Sequence, residues 1–156
     1  MSLTVNKEVE QVQIDAFTSS AFGGNPAAVV FQQRDERWMQ NVAMENNLAE
    51  TAFISPIHGT KSSYNIRWFT PNVEVDLCGH ATLAAASALY STRRVSVGDT
   101  IEFRTLANGS LFARPDEIEG TIELDFPMTP PVEIVLSAKE LDLVRSGFGL
   151  EAIDIR

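Results

Sequence analysis

Asp76-Leu77-Cys78-Gly79-His80-Ala81-Thr82-Leu83 runs directly into Ala84-Ala85-Ala86-Ser87-Ala88-Leu89-Tyr90. A strand-like segment meets a tight glycine turn and opens at once into a helix, about Gly79 to Tyr90, with almost no polar face. A helix that is apolar all round belongs inside a core. Its N-terminus carries free N–H groups and the positive end of the helix dipole, which together favour an anion. Here that end lies beside a thiol, an imidazole and a carboxylate. The stretch therefore predicts a buried central helix aimed at a small acidic ligand.

Working outward, the chain has 156 residues, enough for one domain with a real core. Its 12 basic and 21 acidic residues give a formal charge of -9, which argues against a nucleic-acid partner. The same charge argues against anionic membrane surfaces. Cys78 is the sole cysteine, so neither an intrachain disulfide nor a cysteine-based zinc cluster can form within one chain. The polar start lacks the apolar core of a signal peptide, and no apolar run approaches the roughly 18 residues of a membrane helix. The expected location is cytoplasmic.

Alternation predicts strands at Gln11–Phe17, Ala27–Phe31, Thr51–Ser55, Ser63–Thr70, Ser96–Arg104, Ser110–Arg114 and Ile118–Phe126. Phe22-Gly23-Gly24-Asn25-Pro26 reads as a loop, and Pro56–Thr60 and Ala107-Asn108-Gly109 as turns. Apolar residues at Trp38, Met39, Val42 and Ala43 give a helix over Arg34–Asn46, with Asp35 and Glu36 suiting its dipole. A second surface helix spans Ser137–Gly147, with Ser137 as N-cap, Glu140 completing a capping box and Gly147 as the stop. The tally predicts an α+β fold: a curved, mostly antiparallel sheet wrapped around the central apolar helix. Thr129-Pro130-Pro131 reads as a linker, dividing a unit at 1–131 from a segment at 132–156.

Asp15-Ala16-Phe17-Thr18, Phe22-Gly23-Gly24-Asn25-Pro26-Ala27-Ala28-Val29-Val30, Asn47-Leu48-Ala49-Glu50-Thr51-Ala52-Phe53, Trp68-Phe69-Thr70-Pro71 and Leu77-Cys78-Gly79-His80-Ala81-Thr82-Leu83-Ala84 occur in that order. From about Val12 to Pro131 the chain resembles the N-terminal half of phenazine-biosynthesis-like (PhzF-type) isomerases, which share the diaminopimelate epimerase-like fold. The resemblance implies two similar domains with a cleft between them. It also implies an isomerase without metal or cofactor that moves a proton on a small carboxylic acid. The position matching the family's acid/base is Glu50, and Gly79 and His80 match its substrate-binding turn. The family's second domain has no counterpart here; Val132–Arg156 resembles its opening strand and helix. Because the two family domains are pseudosymmetric, a homodimer is expected to complete the cleft. The alternative is a binding remnant, or a fragment, without turnover.

Each candidate also has a plainer reading. Glu50 is an acid/base if burial moves its carboxyl towards neutrality, and otherwise a solvated strand-end glutamate. Cys78 matches the catalytic cysteine position of diaminopimelate epimerases, and a helix N-terminus is expected to lower its pKa; otherwise it is a small buried apolar residue. His80 binds a carboxylate, with Gly79 and Ala81 beside it, or is satisfied by backbone groups. Asp76 caps the helix or holds His80, capping being favoured. Gly24 and Asn25 shape a cleft wall or form a tight turn, and Thr70 meets ligand at a strand end. Trp68 and Phe69 are read as core, and His58 as a solvated turn residue.

Overall fold

The computed structural model describes residues 8–116, 120–128 and 130–150. Among them, eight strands form one sheet: β1 (Gln11–Ala16), β2 (Asn25–Val30), β3 (Glu50–Pro56), β4 (Ser63–Phe69), β5 (Glu74–Val75), β6 (Ile101–Arg104), β7 (Ser110–Pro115) and β8 (Ile122–Asp125). Three helices complete the order: α1 (Glu36–Asn46) between β2 and β3, α2 (Gly79–Ser91) between β5 and β6, and α3 (Ala138–Phe148) at the end. The strand order is β1-β2-β3-β4-β6-β7-β8, with β5 paired to β4. The β2–β3 and β4–β6 pairs are parallel and the others antiparallel. Each parallel pair needs a crossover. Helix α1 supplies one and α2 the other.

Helix α2 packs against β1, β2, β3 and β8, so the sheet curls far enough for both of its ends to touch one helix. Its composition permits this. Ala81, Ala84, Ala85, Ala86 and Ala88 are fully buried and give a narrow helix that strands can approach from several sides. The inner core alternates along each strand, as a pleated sheet requires: Ala27 and Val29, Ala52 and Ile54, Tyr64, Ile66 and Trp68, Ile101 and Phe103, Leu111 and Ala113. The opposite face of β2, β3 and β4 supplies Val30, Phe53 and Phe69, which pack with Met39 and Ala43 of α1. Phe53 meets Trp38 and Phe69 edge-on, at centroid distances of 6.0 and 5.5 Å. The expected α+β fold is observed, and Trp68 and Phe69 are core.

Several boundaries move. Asn25 and Pro26 belong to β2, paired with Ala16 and Asp15, rather than to the loop. Proline is tolerated because the parallel ladder to β3 begins only at Ala27↔Glu50. Gly24 has a φ of +64°, and a Cβ there would lie 2.1 Å from the Ala16 carbonyl oxygen, so the turn requires glycine. The strand expected from Ser96 starts at Ile101, because 96–99 form a turn closed by the Asp99 amide on the Ser96 carbonyl. Asp35 lies just outside α1 as its N-cap, its carboxylate accepting from the Trp38 amide at 3.0 Å. Helix α3 has the expected capping box but runs through Gly147. It stops at Gly149, which takes the left-handed conformation and donates its amide to the Arg145 carbonyl. The strand expected at the start of 132–156 does not form: residues 130–137 are irregular, and Val132, Ile134 and Val135 are exposed. No residue of α3 is buried. Residues 118–119 of the strand expected from Ile118, Thr129 of the linker, and both chain ends lie outside the described residues. No described helix is long and apolar enough to cross a membrane.

Candidate active site

Strand parity places Glu50. It precedes Ala52 and Ile54 on the face that looks towards α2, and it pairs in register with Ala27 at the start of the β2–β3 ladder. The chain reaches this position through Asn47, which ends α1 in the left-handed conformation with its amide on the Ala43 carbonyl. His80 is the second residue of α2. Its Nε2 lies 3.1 Å from Oε2 of Glu50, with the two side chains 10% and 19% exposed. The contact is electrostatic, since Nε2 has no hydrogen bond of good geometry. On the other side of the ring, Nδ1 lies 3.3 Å from Sγ of Cys78. Glu50, His80 and Cys78 thus form one continuous chain of polar groups across the mouth of α2.

The lowered pKa expected for Cys78 is not found. Burial pushes the thiol up to about 11, and the nearby Glu50 charge acts in the same direction. The Ala81 and His80 amides oppose this but do not win. The cause is position. Cys78 is 8% exposed within the inner core cluster, so the cost of a buried charge exceeds what the helix end returns.

Asp76 does not cap the helix. Cys78 occupies the N-cap position, without a side-chain cap hydrogen bond, and Asp76 is an exposed residue two positions earlier. His80 is contacted by Glu50 and Cys78 instead. The contribution of Asp76 is its carbonyl, which accepts from Nδ2 of Asn108 at 2.7 Å and ties the approach to α2 to the β6–β7 turn. Sequence reading gave Asn108 a turn role only; an asparagine side chain reaching 32 residues back leaves no local signal.

The first helical hydrogen bond of α2 runs from the Thr82 amide to the Cys78 carbonyl, so the amides of Gly79, His80 and Ala81 precede it. Thr82 was not singled out from sequence. It is fully buried, and its hydroxyl donates to the same carbonyl at 2.6 Å. Gly79 does not need glycine for its backbone. A Cβ there would meet only Phe126, at 3.8 Å. Ala81 is fully buried, backbone included, and its amide lies against the Cys78 sulfur.

Asn25 lies at the Glu50 end of the sheet, on the same face of β2 as Ala27. Thr70 follows Phe69, whose partner is Thr51, so register brings Thr70 opposite Glu50 just past the ladder. Its hydroxyl is engaged in the turn, accepting from the Asn72 and Val73 amides. Gly24 shapes the turn before β2. His58 is exposed, as expected.

Donor atoms of Glu50, Cys78 and His80 come within 4.8 Å of one another. In the structure Oε2 of Glu50 lies nearest Nε2 and Sγ of Cys78 nearest Nδ1 of the same ring.

A family model described as phenazine biosynthesis-like protein matches residues 14–150. The chain is 47% identical to an uncharacterized isomerase of Halalkalibacterium halodurans, over 82% of this chain and 47% of that protein. It is 43% identical to mouse phenazine biosynthesis-like domain-containing protein 2, over 86% and 48%. Among solved structures, a phenazine biosynthesis protein of the PhzF family from Enterococcus faecalis superposes with a TM-score of 0.71 at 39% identity, covering 86% of this chain and 50% of that one. A predicted epimerase of Pseudomonas aeruginosa shares the fold at 23% identity, with a TM-score of 0.68 over 94% of this chain and 52% of that one. The chain spans about half the length of the curated relatives it matches.

Proposed function

The chain belongs to the phenazine biosynthesis-like (PhzC-PhzF) family, and from that premise we propose that it moves a proton on a small carboxylic-acid metabolite. The observation that carries this reading is the Glu50 carboxylate, 3.1 Å from His80 Nε2 at the N-terminus of a buried helix. The start of α2 at Gly79 and His80 holds the substrate carboxylate, where the helix dipole also favours negative charge. The ionised Glu50 takes a proton from carbon, and the electron pair left behind delocalises towards the bound carboxylate. Glu50 then returns the proton to another carbon or to the other face. The product is an isomer, so no electrons are gained or lost. Asn25 and Thr70 flank the acid/base at the same end of the sheet. Cys78 is not assigned the role of a thiolate base, because its thiol keeps its proton at neutral pH.

In this proposal a second copy of the chain supplies the facing wall of the cleft. The test is exchange of carbon-bound hydrogen in heavy water, read by proton NMR on the common amino acids and small hydroxy and unsaturated carboxylic acids. Some member of the panel loses a carbon-bound proton signal with the parent, and Glu50→Gln slows that loss at least a hundredfold while keeping ligand affinity. Exchange at the parental rate in Glu50→Gln would remove Glu50 from the reaction. Tight binding without exchange in the parent would favour the non-catalytic binder.

A further inference from the structure

We propose that Cys78 is a positioning residue: its S–H donates to Nδ1 of His80, fixes the ring as the Nε2–H tautomer, and so turns an N–H towards the Glu50 carboxylate. The distances on the two sides of the ring, 3.3 Å from Sγ to Nδ1 and 3.1 Å from Nε2 to Oε2, carry the inference. A neutral imidazole has one donor nitrogen and one acceptor nitrogen, and an ionised carboxylate only accepts. A thiol that keeps its proton is a donor, if a weak one. Of the two neutral tautomers, only the one with S–H towards Nδ1 and the ring N–H on the Glu50 side sets no donor against a donor, although the 3.1 Å approach to Oε2 is too bent for a hydrogen bond of good geometry. The other tautomer sets an N–H against the S–H and a bare nitrogen lone pair against carboxylate lone pairs at 3.1 Å. In this buried place such a mismatch is costly.

The consequence is directional. With the imidazole N–H on the Oε2 side of the carboxylate, the substrate's proton is received on Oε1. The ring meanwhile steadies the carboxylate without giving up its own proton. A serine in place of Cys78 keeps a donor at the same point. An alanine removes it, and the ring is then free to exchange tautomers. The consequence for proton transfer rests on the reading of Glu50 as acid/base, whereas the tautomer itself does not.

The experiment is a long-range proton–nitrogen NMR spectrum of the whole chain at neutral pH. The chain has two histidines, His58 and His80, so a His58→Gln variant assigns the signals. In the parent, Nε2 of His80 reads as protonated and Nδ1 as unprotonated. Cys78→Ser keeps that pattern, and Cys78→Ala moves both nitrogens towards averaged values. A parent ring protonated at Nδ1 or at both nitrogens overturns the proposal, as does a Cys78→Ala spectrum identical to the parent's. The parent spectrum alone decides the tautomer if a variant fails to fold. Where a substrate is in hand, Cys78→Ala lowers kcat about tenfold with KM little changed, and Cys78→Ser restores it. Loss of all proton exchange in the parent with the tautomer intact would sink the function proposal and leave this one standing.

Discussion

A thiol at the start of a helix is pulled both ways, and at Cys78 the pull of burial wins. Helix amides and the dipole favour thiolate. Desolvation in the inner core and the charge of Glu50 favour the thiol, and the balance lies at about 11. Unfolding releases Cys78 to an ordinary thiol of pKa about 8.5. The unfolded chain therefore loses its proton first as pH rises, and stability falls between about pH 9 and 11, by on the order of 1–3 kcal/mol. Urea unfolding at several pH values checks this: the parent's midpoint drops across that window more than that of Cys78→Ser. At pH 7.5, Ellman's reagent reacts with the native thiol at least tenfold more slowly than with the denatured chain. Equal rates would show that the sulfur is neither buried nor held protonated. The ordered motifs made Glu50, Gly79 and His80 legible as one site. The Cys78–His80 contact was not legible, because Cys78 is extended (φ -144°, ψ 113°) while His80 is helical. Two residues of sequence spacing do not define a direction across such a break. Asp76 was misread for a related reason: the N-cap falls at Cys78, and a carboxylate two positions upstream does not reach the first helical amides.

At the scale of elements, α1 and α3 make an instructive pair because both begin with side-chain caps but only α1 is packed. Asp35 caps α1, which buries Met39 and Ala43 against Phe53 and Phe69. Ser137 and Glu140 cap α3 reciprocally, yet no residue of α3 is buried. Asp35→Ala therefore lowers global stability by about 1 kcal/mol, seen as a lower denaturation midpoint. Ser137→Ala reduces helicity at the C-terminal end and leaves that midpoint unchanged, since α3 fully buries none of its residues. A matching global loss in both variants would mean that α3 docks in solution. Local patterns predicted the existence of nearly every element, because alternation and capping are properties of neighbouring residues. Boundaries failed where a long-range partner decides. Asn25 and Pro26 become strand because β1 is there to receive them, whereas Val132–Val135 pair with no described strand.

At the scale of the whole molecule, the curled sheet does not close among the described residues. Strands β1 and β8 end the strand order. A groove lined by Ile14, Phe17, Leu83, Ser87 and Ile122 runs between these edges and over α2, and it includes none of Glu50, Cys78 and His80. Beyond β8, Met128, Val132, Ile134, Val135, Leu143 and Phe148 are all exposed. Apolar surface on that scale, next to unpaired edges, marks a place where more protein belongs. The relatives are about twice as long as this chain. In the isolated chain, a second copy is the available cover, and a twofold pair would set one Glu50-bearing face towards another. The expected solution mass is therefore twice the 17.2 kDa of one chain, measured by light scattering after size-exclusion chromatography and retained on dilution into the low micromolar range. Replacing Val132, Ile134 and Val135 together with serine shifts the mass towards one chain if that segment forms the contact. The exchange activity proposed for Glu50 falls with it, because half a cleft admits water to the carboxylate. A monomer at every concentration would remove the homodimer as the source of the missing wall. A dimer whose mass ignores the triple serine change would move the contact to the β1 and β8 edges.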